Sequence, residues 1–100
     1  MENLNLYGTN QDERIERIQC MESIFDQLQE MVRNDPHAME KDPEQKKRLK
    51  ILMNYYEGGQ WLSDYESDER GELPVHLKRG ILSEDGVYNL LTELGEYVLK

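Results

Sequence analysis

The sequence predicts an all-α domain, an antiparallel helix hairpin with two further helices packed across it. Three observations predict it. Apolar residues recur every three or four positions through most of the chain, the period of a helix with one buried face. No stretch holds the period-two alternation of a half-buried strand. Proline and paired glycines fall between the periodic stretches, where helices start and stop.

Residues 1–9 read as an irregular arm, with Leu4, Leu6 and Tyr7 laid against a single helical domain over 10–100. Asn10 with Glu13 three residues on has the form of a capping box, so the first helix is expected over about 11–33. Its Ile15, Ile18, Met21, Ile24, Phe25, Leu28, Met31 and Val32 fan across roughly 140° of helix surface. That is wider than a two-stranded seam, so the helix needs partners on two sides. Asp35-Pro36 and Asp42-Pro43 are successive N-cap and N1 signatures, which makes 36–41 a turn or short helical turn and starts the second helix at Pro43. Leu49, Leu52, Met53 and Tyr56 share its apolar face, and Gly58-Gly59 stops it. Its basic first half, Lys46, Lys47, Arg48 and Lys50, is expected to lie against the acidic first helix, as complementary flanks of a hairpin do.

A third short helix is expected over about 60–67. Residues 68–79 read as a loop punctuated by Gly71 and Pro74. Ser83 is expected to cap the last helix, with Glu84 and Asp85 at its positive dipole end. Leu82 and Val87 form its hydrophobic staple. Val87, Leu90, Leu91, Leu94 and Val98 are its core face, with Gly95 a weak point.

Composition narrows the function. The net charge of −9 argues against a nucleic-acid backbone or an anionic membrane surface as partner. One cysteine among 100 residues excludes an intrachain disulfide and a thiolate metal knot. Cys20 reads as a small semi-buried helix residue. The start of the chain has neither a basic region nor an apolar run, and the expected compartment is the cytoplasm. With only 37% hydrophobic residues, a domain this short buries about 60–65% of its unfolded surface. Homodimerisation through the broad face of helix one, around Phe25 and Leu28, is the expected remedy.

Chemistry-bearing residues concentrate between Tyr55 and Asp85. Tyr55, Tyr56, Trp61 and Tyr65 surround the Gly58-Gly59 break. They read first as a cap on the helical core, Trp61 foremost, and second as recognition anchors. Asp64 and Asp68 are four apart on one helix face and are expected to point toward Lys78 and Arg79. A calcium loop over this run fails at Glu69, where a glycine is needed, and at Val75, where a bidentate Glu is needed. His37 and His76 stand in loops with no nucleophile at a recognisable spacing. No phosphate-binding loop or dinucleotide fingerprint occurs. The residues thus give no catalytic group, no metal ligand set and no cofactor.

The run Tyr55-Tyr56, then W-L-S-D-Y-E-S-D-E at 61–69, L-P at 73–74, L-K-R-G-I-L-S-E-D at 77–85 and V-Y-N-L-L at 87–91 resembles a small bacterial family, the domain-of-unknown-function family numbered forty-two ninety-eight. The resemblance implies a short, acidic, mostly helical cytoplasmic protein and transfers no catalytic residue. The reading of the residues is a non-enzymatic protein-interaction module whose partner is a basic protein surface. Its expected surface is Tyr55, Tyr56, Trp61, Asp64, Tyr65, Asp68, Arg79 and Ser83. The alternative is a divalent-metal or small-molecule site, with or without catalysis, in the Asp64, Asp68 and Arg79 region.

Overall fold

The structure is a computed structural model and describes the backbone of residues 2–98 and the side chains of residues 11–95. Its helices are α1 (Glu2–Asn34), α2 (Ala38–Lys41), α3 (Pro43–Glu57), α4 (Gln60–Glu69) and α5 (Gly86–Val98), with a 3₁₀ turn at Gly80–Leu82 before the last. The described backbone contains no strand.

The expected boundaries hold where side chains enforce them. The Asp42 carboxylate accepts the Glu44 amide at 2.9 Å and Pro43 opens α3. Gly58 closes α3, and Gly59 at φ 98° turns the chain into α4, a conformation that costs glycine little. The start of α1 differs. It begins at Glu2, so Asn10 lies inside the helix and 2–9 are helical rather than irregular. No proline interrupts 2–10, and each residue added to a formed helix gains a hydrogen bond. The expected packing of Leu4, Leu6, Tyr7 and Val98 falls outside the described side chains.

The start of α5 also differs. Ser83 does accept the Gly86 amide at 3.3 Å, as a cap does, but 84–85 form a turn and the regular helix starts only at Gly86. Gly95 does not end α5, which continues to Val98.

One core joins all the elements. Ile18, Phe25 and Leu28 of α1 meet Met39 of α2, Leu49, Leu52 and Tyr55 of α3, Trp61 of α4, and Val87, Leu90 and Leu94 of α5. Each fully buried aliphatic side chain contributes about 1.5–3 kcal/mol. The loop after α4 enters this core through Leu73 and Leu77, and the 3₁₀ turn through Ile81 and Leu82. Arg17 of α1 and Tyr55 of α3 share one carboxylate, while Asn34 and Gln45 line a common depression. The middle of α1 therefore lies beside the end of α3.

Ile18, Phe25 and Leu28 are buried within the chain, while Ile15, Met21, Ile24 and Val32 of the same broad face are partly buried. Two expectations are corrected. Lys46, Lys47, Arg48 and Lys50 form no ion pair with a described residue. α3 turns Leu49, Leu52 and Tyr55 toward α1, which leaves the lysines on its outer flanks. Cys20 is exposed. No described helix is long and apolar enough to cross a membrane.

Candidate functional site

The region singled out between Tyr55 and Asp85 divides into a buried polar centre, a loop clamp and an outer face.

Asp64 is the centre. It is fully buried, and both oxygens are occupied. Oδ1 accepts from the Arg14 guanidinium at 3.2 Å and from Arg17 at 2.5 Å. Oδ2 accepts from Arg17 Nε at 3.0 Å and from the Tyr55 hydroxyl at 2.7 Å. Arg14 also donates to the Ser63 carbonyl at 2.9 Å. α4 supplies the carboxylate, α3 the phenol and α1 both guanidiniums, so the cluster ties three helices together. The expected partners Lys78 and Arg79 are not those of Asp64. The shared hydrogen bond with Asp64 holds the Arg17 proton more tightly than usual. Burial first, and the bond to Asp64 second, push the Tyr55 phenol far above its ordinary value.

That shift has a measurable consequence. The folded state keeps the Tyr55 proton at pH values where the unfolded chain loses it, above about pH 10. Folded protein then binds more protons than unfolded protein. The Tyr55 contribution is therefore complete below about pH 10 and falls as pH rises, at up to about 1.4 kcal/mol per pH unit. Lys78, raised by its bond to Asp26, adds a loss of the same sign. We predict a flatter decline for Tyr55→Phe than for wild type in denaturant titrations between about pH 10 and 11. Equal slopes would refute the buried phenol.

Asp68 belongs to the clamp. The Arg79 guanidinium donates to Asp68 and to the Pro74 carbonyl, and its Nε donates to the Leu77 carbonyl at 3.2 Å. Arg79 thus closes the 70–79 loop onto the end of α4. Lys78 turns away to Asp26 of α1 at 3.0 Å. Ser67 and Arg70 both donate to Glu72, whose carboxyl is held below its usual range by Arg70 first and Ser67 second.

Trp61 is buried, with 8% of its surface exposed. Its Nε1 donates to the Ile81 carbonyl at 2.7 Å. Its ring meets Tyr56 edge-on at 5.2 Å and stacks on Tyr65 at 5.1 Å. Tyr65 donates its hydroxyl to Glu84, a bond that pushes its pKa up to about 12. Of the eight residues expected at a surface, Tyr55, Trp61 and Asp64 are buried, while Tyr56, Tyr65, Asp68, Arg79 and Ser83 retain accessible surface.

The first-half residues of this region were not legible from its own pattern. Arg14 and Arg17 reach Asp64 from a helix some fifty positions earlier in the chain. Glu22 is 6% exposed and accepts the Ile81 amide at 2.8 Å. A Cβ on Gly80 would sit 3.1 Å from its other oxygen, so Gly80 leaves room for this approach. One signal was present in the sequence, since Glu22 stands between Ile18 and Phe25 on the apolar stripe.

A cation at Asp64 would have to displace two guanidiniums and a phenol, and at Asp68 the Arg79 clamp. Among the described residues no three His, Cys, Asp or Glu side chains gather as a metal-holding group. A family model described as Domain of unknown function (DUF4298) matches residues 18–100. The chain belongs to this family. The match takes in Asp64, Trp61 and Glu22 of the DUF4298 core, while Arg14 and Arg17 precede it. No curated protein and no solved structure matches the chain.

Proposed function

We propose that this DUF4298 chain is a non-enzymatic interaction module of the cytoplasm that presents the outer face of α4 and the 83–85 turn to a basic protein segment. One observation carries the reading. Leu62 is 51% exposed, Tyr65 lies beside it, and Glu66, Glu69, Glu84 and Asp85 around them form no ion pair with a described residue. Asp64, Asp68 and Glu72 of the same region are neutralised by arginines. Between 60 and 85, the acidic groups left unpaired thus lie around an accessible aliphatic and a partly accessible aromatic side chain. A Lys- or Arg-rich segment with an apolar residue complements both features. The net charge of −9 supports a basic partner over a nucleic acid.

The test is capture at two salt concentrations. We expect proteins retained at low salt to be released at high salt, because exposed charge pairs are screened. A Glu66→Lys, Glu69→Lys, Glu84→Lys variant is expected to lose binding by about tenfold or more. A Glu30→Lys control on α1 is expected to retain it. Retention by the triple variant, or binding indifferent to salt, would overturn the reading. A divalent-cation or small-molecule site at Asp64, Asp68 and Arg79 is the weaker alternative, because every one of those groups already has a strong internal partner.

A further inference from the structure

A second surface adjoins the acidic face at Tyr56 and runs away from it between α3 and α5. α3 and α5 leave a groove of about 310 Å³ between them, lined by Leu49, Met53, Tyr56, Tyr88, Leu91 and Gly95 among others. Two of these walls are accessible, Tyr88 at 59% and Met53 at 37%.

The two ends of the groove differ in shape and in charge. Glu84 bonds Tyr65, whose ring stacks on Trp61 against Tyr56. Tyr88, four residues beyond Glu84, therefore stands at the end of the groove that holds Tyr56 and Glu57. Gly95, two turns further along α5, stands at the other end of the groove, toward Leu49 and the start of α3. Apart from its chain neighbours and its own helix backbone, no described atom lies within 4 Å of the place a Gly95 Cβ would take. One end thus carries a projecting ring and the other an open floor. Lys46, Lys50, Met53 and Glu57 recur at spacings of three and four, so they form one stripe of α3. Lys46 and Lys50, which have no described ion pair, lie at the open end. Glu57 and Glu84 lie at the ring end.

A uniformly basic or uniformly acidic segment would satisfy only one end of this groove. A second copy turned by a two-fold axis satisfies both, since in such an interface each residue meets the residue that meets it. We propose that the α3–α5 groove is a homodimer interface in which Tyr88 of each copy fills the floor at Gly95 of the other and Lys46 of each copy faces Glu57 of the other. Lys46 and Glu57 are about 16 Å apart along the helix, so the two ion pairs flank a central apolar contact.

The full chain is tested by sedimentation at about 100 μM, where a micromolar dimer is nearly saturated. The expected result is a species of twice 11.9 kDa. Tyr88→Glu is expected to return it to monomer with an unchanged helical circular dichroism spectrum, because Tyr88 is exposed. Lys46→Glu and Glu57→Lys are each expected to weaken the dimer by about fivefold or more. Mixing the two variants restores association, since every 46–57 contact is then again of opposite charge. A single 11.9 kDa species for wild type would overturn the proposal. So would a dimer indifferent to Tyr88→Glu, or a mixture that associates no better than either variant alone.

Discussion

Asp64→Asn is expected to destabilise the chain by about 3–5 kcal/mol, the range for breaking a buried charge cluster by removing one member. Both carboxylate oxygens accept from two donors each. In place of Oδ1 an NH₂ group faces two guanidinium donors, and in place of Oδ2 it faces Arg17 Nε, with only the Tyr55 hydroxyl able to turn and accept. Arg14 and Arg17 also lose the buried carboxylate that both of them pair with. Against a typical domain stability of about 5–15 kcal/mol this is a large fraction, and the melting temperature should fall by more than about 12 °C. Asp68→Asn is the comparison. Its pair with Arg79 is partly exposed, at 21% and 34% of the side chains, and an ion pair so placed contributes about 1 kcal/mol or less. Thermal and denaturant unfolding of the two variants should rank them clearly. If Asp64→Asn lies within about 1 kcal/mol of wild type, the cluster does not organise the fold. A quadruple replacement of Asp64, Arg14, Arg17 and Tyr55 by Leu, Met, Met and Phe is expected to recover much of the loss. Well-packed apolar groups often replace a buried ion cluster without penalty.

The helices were legible because their signals are local. Asp42-Pro43, the Gly58-Gly59 break and the three-to-four spacing of Leu49, Leu52 and Tyr56 each act within one or two turns of chain. The start of α1 was misplaced for the same reason, because Asn10 and Glu13 make a sound local cap that the longer helix does not use. The site was less legible, since its partners come from far away in sequence. Asp64 and Asp68 look equivalent on a helical wheel. One is fully buried by α1 and α3, and the other stays at the rim with Arg79. Nothing at 61–69 distinguishes them. The distinction lies in Arg14 and Arg17, and a single sequence carries no pairing information across that distance. The aromatic cluster shows the converse. Trp61 was expected to be a structural anchor at the end of the helix pair; its ring is buried against Tyr56 and Tyr65, immediately after the Gly58-Gly59 turn.

Trp61→Ala is expected to cost about 3–5 kcal/mol, the range for removing a large buried aromatic. The ring fills space between Tyr56 and Tyr65, and its N–H satisfies the Ile81 carbonyl within the 3₁₀ turn. Truncation removes the apolar contact and leaves that carbonyl without its donor. Trp61→Phe separates the two contributions. It keeps a ring between the tyrosines and loses the hydrogen bond with part of the indole's volume, so its cost is expected below that of Trp61→Ala, near 1–3 kcal/mol. The two variants also distinguish a structural from a recognition role. Tyr65 rests on the Trp61 ring and bonds Glu84, so Trp61 holds the outer acidic face from behind without belonging to it. Trp61→Phe should therefore retain a basic partner that the Glu66, Glu69, Glu84 charge reversals abolish. If Trp61→Ala instead unfolds at the wild-type midpoint while losing the partner, the indole is a contact residue. Its burial between the two tyrosines would then have to open on binding.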